Sequence, residues 1–204
     1  MAPAIKALAP EVVLVEYWDH EGIGAKDAWR SVIDASPVIV AVVVSGIDLK
    51  DRDLVPHLWV NREEVEAGPN GLDDDGLGVV DDMHGARFVV PRVNGNAGDD
   101  DGHGTLLSGI IAGVARQKIG LDYAPQPVKL MAVKFYDPVT LPAPANAAAA
   151  IRYAVRQGAK IICASWDVGI QTPELADAIA YAESSGVLIV TAAGNFGTDN
   201  DSLP

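Results

Sequence analysis

The sequence is poor in three features: it has one cysteine, few basic residues and no apolar run long enough to span a membrane. A single cysteine, Cys163, cannot form a disulfide within the chain, and its apolar surroundings predict a buried free thiol. With 15 Lys and Arg against 28 Asp and Glu, the formal net charge of −13 argues against nucleic acid or anionic lipid as partners. We therefore expect no nucleic-acid binding and no membrane insertion, while the cellular location stays open.

The remaining composition, 204 residues of which 49% are apolar, is typical of a globular domain with a full core. Apolar runs predict strands at residues 38–44, 129–135, 160–165 and 187–191. Helical patterns alternate with them at residues 103–115, 143–157 and 173–184. This alternation predicts an α/β fold with a doubly wound, mostly parallel sheet and helices on both faces. Residues 1–30 are interpreted as a lead-in segment and residues 31–204 as the domain.

The first stretch with candidate chemistry is residues 99–113, where His103 lies between Gly102 and Gly104. Glycines without a Cβ atom let another chain approach the imidazole closely. The apolar residues that follow recur at helical spacing, which predicts that the histidine is fixed at the first turn of a buried helix. An imidazole titrates near neutrality, so this position suits a general base. Taken alone, the pattern also fits a histidine that caps a glycine turn.

Two further stretches follow predicted strands. Asn195, after Ala193 and Gly194, ends the last strand, where its amide can donate to an oxyanion or can simply form a turn. Ser45 and Gly46 end the central strand. Because the carboxyl ends of parallel strands meet at one sheet edge, we expect these residues and His103 to share that edge.

Residues 61–90 show little periodicity, and the acidic segment 71–82, Gly-Leu-Asp-Asp-Asp-Gly-Leu-Gly-Val-Val-Asp-Asp, is predicted as a loop. Oxygen ligands at such spacing are typical of a looped Ca²⁺ site, with candidate ligands Asp73, Asp75, Asp81, Asp82 and the carbonyl of Val79. Five carboxylates within ten residues repel one another without a cation, so Ca²⁺ is the candidate cofactor. A solvated acidic loop is the alternative, because Leu77 stands where an oxygen ligand is expected.

Together these stretches resemble the subtilisin-like serine proteases, the subtilases, from about residue 18 to the end of the chain. Residues 41–48, Ala-Val-Val-Val-Ser-Gly-Ile-Asp, look like the family's aspartate motif, and residues 101–105, Asp-Gly-His-Gly-Thr, like its histidine motif. The resemblance implies a subtilisin-like fold, with His103 as the general base and Asn195 as the oxyanion donor. Residues 158–166 are similar to a substrate-binding segment, which implies substrate contacts for Ser165 and Trp166. Residues 70–82 are similar to an acidic, often calcium-binding insertion.

Two departures from the family pattern bear on activity. Val44 stands where the family carries its triad aspartate, and valine cannot accept a hydrogen bond from an imidazole. The family's nucleophile lies in a Gly-Thr-Ser-Met-Ala segment beyond the oxyanion Asn, and no such segment occurs before Pro204, so the domain is expected to be incomplete at its C-terminus.

We therefore expect an inactive homologue that serves as a structural or binding subunit, with a protein partner covering the incomplete C-terminal side. The alternative is a fragment or split half of an active serine endopeptidase, in which another acid such as Asp48 replaces the aspartate.

Overall fold

The computed structural model describes residues 36–113, 128–140, 142–167, 171–195 and 197. Pro37–Pro204 forms one compact unit. The predicted lead-in segment, residues 1–30, lies outside the described residues. Within the described ranges, none of the helices has both the length and the apolar character needed to cross a membrane.

The described residues form a six-stranded sheet in the order β3-β2-β4-β1-β5-β6. Its strands are β1 (Val38–Val44), β2 (Gly85–Val89), β3 (Arg92–Asn94), β4 (Val128–Lys134), β5 (Ile161–Ala164) and β6 (Leu188–Thr191). The helices are α1 (Arg62–Ala67), α2 (His103–Ile111), α3 (Pro144–Arg156) and α4 (Pro173–Ser184), with a short 3₁₀ turn at Val55–His57. β1 pairs in parallel with β4 and β5, β4 with β2, and β5 with β6, whereas β3 runs antiparallel to β2.

The predicted parallel sheet is confirmed, since all four predicted strands are parallel members of it and each end falls within one residue of the prediction. Residues 71–82, predicted as an acidic loop, lie between α1 and β2, whereas these two elements themselves, within the aperiodic segment 61–90, were not predicted. α1 has only six residues and is rich in glutamate, and β2 contains Gly85 and Arg87, so neither carries a periodic apolar pattern. β2 is a strand because it pairs with β4, a tertiary contact that local sequence does not encode.

β1 is covered on both faces, which explains its unbroken apolar run. Ala41 and Val43 pack in the larger core with α3 and α4, whereas Val42 and Val44 pack in a smaller core with α2. All four side chains are fully buried. Helices therefore lie on both faces of the sheet, as the sequence predicts.

The strand order changes direction around β1. After β1 the chain adds β2 and β4 on one side, and then crosses to add β5 and β6 on the other. In open α/β sheets, a crevice forms at the carboxyl ends of the strands where the order reverses. The residues that follow β1 and β4 are therefore placed at the mouth of that crevice.

The α2 face of the sheet is only partly covered. Leu188 and Val190 on β6 are in register with residues of β5 that face away from α3 and α4, and they are 60% and 50% exposed. Leu106 and Ile110, four residues apart on α2, are 66% and 56% exposed. We call these four side chains the open apolar surface.

Candidate functional site

α2 begins at His103 because side chains satisfy the amides of its first turn. Asp99 accepts hydrogen bonds from the backbone N–H groups of Gly102 and Thr105 and from the Thr105 hydroxyl, at 2.9, 2.9 and 2.6 Å. Burial alone raises the pKa of Asp99, but the bonds from Thr105 and Gly102 outweigh it and lower that pKa to about 2. The carboxylate is therefore charged at neutral pH and holds the start of the helix.

The start of α2 rests directly on the end of β1. The Gly104 N–H donates to Ser45 Oγ at 3.0 Å. A Cβ atom on Gly104 would lie 1.9 Å from the carbonyl oxygen of Gly46 and 2.7 Å from Cγ2 of Val44. Only a residue without a side chain fits there, and its close approach fixes His103 at the carboxyl edge of the sheet.

The Nδ1 atom of His103 lies 3.1 Å from the phenol oxygen of Tyr136, which follows β4 by two residues. Burial, together with the charges of Asp101 and Asp99, raises the pKa of Tyr136, so the phenol is neutral at physiological pH. The partner that the structure gives to this ring nitrogen is thus a neutral hydroxyl.

Neither of the two sequence positions considered for a triad carboxylate supplies a hydrogen bond to the imidazole among the contacts of the described residues. Val44 is fully buried in the core shared with α2, and its methyl group meets Gly104, the residue next to His103. Asp48 donates its backbone N–H to Thr105 Oγ1, and its carboxylate accepts from the backbone N–H of Lys50.

The other predicted cleft residues lie at the same carboxyl edge. Asn195 is exposed and follows β6 by four residues, and Ser165 and Trp166 follow β5 directly. The indole N–H of Trp166 donates to the carbonyl of Val43 at 2.7 Å. That bond turns the polar atom of Trp166 towards the sheet, and Ser165 Oγ lies 3.4 Å from the sulfur of Cys163. Their roles as substrate contacts stay predictions.

The acidic loop forms a second cluster, away from the crevice. Carboxylate oxygens of Glu64, Asp75 and Asp82 all lie within 4.8 Å of one another. The Asn61 amide donates to Asp75 and Asp82 at 2.7 and 2.8 Å. Tyr153 on α3 donates to Asp82 at 2.5 Å, which ties the loop to the larger core. These three carboxylates are the residues best placed to hold a cation.

The negative charges of this cluster are not fully compensated by the hydrogen bonds of the described residues. Burial first, and then the charges of Asp75 and Glu64, raise the pKa of Asp82 to about 6. One oxygen of Glu64, Oε2, is buried without a hydrogen-bond partner among the described residues. A buried carboxylate oxygen with no donor is costly, and a cation would satisfy it.

The five predicted metal ligands are brought together only in part. Asp75 and Asp82 join the cluster, whereas Asp81 accepts from the backbone N–H groups of residues 70 and 71. Asp73 accepts from the N–H of Gly78 at 2.9 Å, and its other oxygen is buried with no hydrogen-bond partner in the part of the chain that the structure describes. Val79 is 3% exposed and its side chain packs in the larger core.

The family model described as the Subtilase family matches residues 35–203 of this chain. The chain belongs to the subtilase family. "Subtilisin-like protease 1" of Plasmodium vivax is 33% identical over 181 residues, which are 87% of this chain and 28% of that protein. "Thermitase" of Thermoactinomyces vulgaris is 29% identical over 182 residues, which are 89% of this chain and 56% of that protein.

A solved structure titled "Crystal Structure of a Lanthipeptide Protease" matches with a TM-score of 0.55 at 24% identity, and the match covers 80% of this chain and 41% of that one. That likeness bears on the fold alone. The chain spans about a quarter of the length of the Plasmodium relatives named "Subtilisin-like protease 1".

Two residues of this subtilase were missed by the sequence analysis. Tyr136 follows a predicted strand at the sheet edge where the site was expected, so its position was a usable signal. Glu64 lies in a segment without periodicity, and its burial follows from bonds that Oε1 accepts from the N–H groups of Asp74 and Asp75. No local pattern predicts that contact.

Proposed function

We propose that this 204-residue chain is a subtilase that does not hydrolyse peptide bonds and that uses the family fold as a structural or binding subunit. The observation that carries the proposal is the environment of His103, whose Nδ1 meets the phenol of Tyr136 while a buried Val44 occupies the family's aspartate position. The test is peptide hydrolysis by the purified chain, compared with a His103→Ala control.

The loss of turnover that follows removal of a triad residue supports this proposal. In subtilisin, the family's reference enzyme, loss of the triad aspartate lowers turnover by about 3 × 10⁴ and loss of the serine by about 2 × 10⁶. This chain has valine at the first position. That departure alone is sufficient to remove useful protease activity.

The second candidate function is one half of an active serine endopeptidase whose nucleophile lies on another segment. It is favoured by the 28% share of the Plasmodium vivax protease that the chain covers. One experiment distinguishes the two candidate functions. A segment with the Gly-Thr-Ser motif is added to the chain without any change at Val44, and only an active half of a protease should then hydrolyse peptides.

We further propose that a protein segment supplying the C-terminal side of a subtilase fold binds the open apolar surface. Leu106, Ile110, Leu188 and Val190 are all at least half exposed, and burying the remaining surface of such side chains is favourable by about 1–2 kcal/mol each. The chain's net charge of −13 favours a partner that is basic around its apolar contact.

The double variant Leu188→Lys/Val190→Lys is expected to weaken binding of such a segment at least about tenfold, because two apolar contacts are replaced by charges. Binding would be measured by titration calorimetry, with the part of thermitase that follows its oxyanion motif as the probe. Val139→Lys is the matched control, since Val139 is 93% exposed and lies outside the open apolar surface. Equal affinity for the double variant and the control, or no complex at all, would refute the docking proposal.

For the acidic cluster we propose Ca²⁺, held by Glu64, Asp75 and Asp82 with oxygens of the surrounding loop. Hard cations of this kind take several carboxylate and carbonyl oxygens. The buried, unpartnered Oε2 of Glu64 supports the proposal. The bound ion would stabilise the loop and its attachment to α3.

Removal of Ca²⁺ by a chelator is expected to lower the thermal midpoint by about 5–10 °C, because a ligand at a hundred times its dissociation constant adds about 2.7 kcal/mol of stability. Glu64→Gln should abolish that difference. Glu183→Gln, an exposed position on α4, should retain it. A midpoint that is the same with Ca²⁺ and with chelator would show that the loop is merely acidic.

A further inference from the structure

We propose that Asn70 is a site of self-catalysed deamidation, at which the backbone nitrogen of the next residue attacks the side-chain amide and the resulting ring is hydrolysed to a carboxylate. The sequence contains Asn-Gly twice, at Asn70 and at Asn94. A glycine after asparagine leaves the attacking nitrogen free of side-chain hindrance. The structure gives the two glycine nitrogens different partners, and that difference makes Asn70 the reactive position. This inference is independent of the proposed function.

The attacking atom is the backbone nitrogen of Gly71, which must lose its proton when the ring forms. Its N–H donates to both carboxylate oxygens of Asp81, at 3.2 Å each. Asp81 is held in this position because it also accepts from the backbone N–H of Asn70 at 3.0 Å. A carboxylate in hydrogen-bond contact with a departing proton is placed to act as a general base, and this is the role of Asp81.

The atom under attack is Cγ of Asn70, and its carbonyl oxygen already has a donor. Oδ1 accepts from the backbone N–H of Leu72 at 2.7 Å. A fixed backbone donor stabilises the negative charge that develops on such an oxygen when a nucleophile adds. The turn at Asn70 therefore supplies both a base for the nucleophile and a donor for the oxyanion.

The reaction needs water and no other reactant. A bond forms between the nitrogen of Gly71 and Cγ of Asn70, and the carbon–nitrogen bond of the side-chain amide breaks. The proton taken by Asp81 returns through solvent to the departing nitrogen, which leaves as ammonia. Water then opens the cyclic imide at either of its carbonyls and gives aspartate or isoaspartate. Asn70 is exposed, so water reaches the ring.

At Asn94 the corresponding nitrogen has a different partner. The N–H of Gly95 donates to the backbone carbonyl of Val80 at 2.8 Å. A carbonyl oxygen accepts a hydrogen bond but does not take up a proton at neutral pH. Asn94 also ends β3 and is in register with Arg87 of β2, so the sheet fixes its backbone. We therefore expect Asn94 to persist in the folded chain.

Deamidation of Asn70 changes the acidic loop. The Asn70 amide donates to Oδ2 of Asp74 at 2.9 Å, so after the reaction two carboxylates face each other there. The backbone N–H of Asp74 in turn donates to Oε1 of the buried Glu64 at 2.6 Å. The new negative charge thus lies beside a residue that holds Glu64. Because the lost ammonia does not return, the change accumulates with the age of the chain.

The test is peptide mapping by mass spectrometry after incubation of the full chain at mildly alkaline pH. Trypsin releases Asn70 in the peptide of residues 63–87 and Asn94 in that of residues 93–116, so the two positions are followed separately. In the folded chain we expect Asn70 to convert at least about tenfold faster than Asn94, because only Gly71 has a carboxylate as base. In a chain unfolded by urea, the two rates should converge.

Asp81→Asn should slow the deamidation of Asn70 at least about tenfold, since the base is removed. Asparagine tolerates the positive φ of 52° at that position. Glu183→Gln, at an exposed position on α4, is the matched control and should leave the rate unchanged.

Equal rates at Asn70 and Asn94 in the folded, unaltered chain would overturn the proposal, and so would an unchanged rate in Asp81→Asn. Peptide hydrolysis and the response to Ca²⁺ are measured in separate experiments, so failure of this proposal is distinguishable from failure of the proposed function.

Discussion

Replacing Val44 with aspartate is expected to leave the 204-residue chain without measurable peptidase activity. Acyl transfer needs a hydroxyl nucleophile that can both reach the imidazole and face the substrate. Ser45, whose Oγ accepts a hydrogen bond from the Gly104 N–H, is fully buried, and so is Ser108 on α2. The new carboxylate would therefore give His103 an acceptor for Nδ1–H without making either serine available as a nucleophile.

Repair of both departures is the complementary experiment. A chain that carries Val44→Asp and is combined with a segment containing the Gly-Thr-Ser motif should hydrolyse a chromogenic peptide at least about 10⁴-fold faster than either repair alone, because triad members act as a unit. The same segment combined with a His103→Ala chain should give no gain and serves as the control. Hydrolysis by Val44→Asp alone would mean that a serine of this chain acts as the nucleophile.

Gly104→Ala is expected to destabilise the domain by about 3 kcal/mol or more. The new Cβ atom would lie 1.9 Å from the carbonyl oxygen of Gly46, a backbone atom that no side-chain rotation can move. α2 would have to lift from β1, which would also break the bond from the Gly104 amide to Ser45. The resulting loss should appear as a lower midpoint in urea.

Gly109→Ala, in the same helix, provides the matched control. Apart from its chain neighbours and the adjoining helix backbone, no atom of the described residues lies within 4 Å of the position its Cβ would take, so the change should be neutral or should stabilise the helix by up to about 1 kcal/mol. Equal midpoints for the two alanine variants would contradict the close packing of α2 on the end of β1.

The sequence predicted best those elements whose patterns are set by local burial. β1 is apolar throughout because it is covered on both faces, and its bounds were predicted to the residue. α1 and β2 were missed because a six-residue acidic helix and a strand containing glycine and arginine have no such pattern. Their structure depends on contacts with distant segments, above all the pairing of β2 with β4.

In the two candidate sites, too, features set by local sequence were predicted, and features set by contacts between distant segments were not. Motif order was enough to place His103 and Asn195 at one sheet edge, because parallel strands bring their carboxyl ends together. The partner of His103 was not predictable, since Tyr136 is 33 residues away and belongs to no motif of the sequence analysis. In the acidic loop, composition predicted a cluster, but burial of Glu64 and the turn bonds of Asp81 decided its members.

The central claim, that this chain does not hydrolyse peptide bonds, is tested most directly by a chromogenic peptide panel on the purified, unaltered chain and its His103→Ala variant. We predict that both give the same background rate and that a fluorophosphonate probe labels neither, because no serine is activated by the imidazole. Hydrolysis or labelling in the unaltered chain that disappears in His103→Ala would contradict the account.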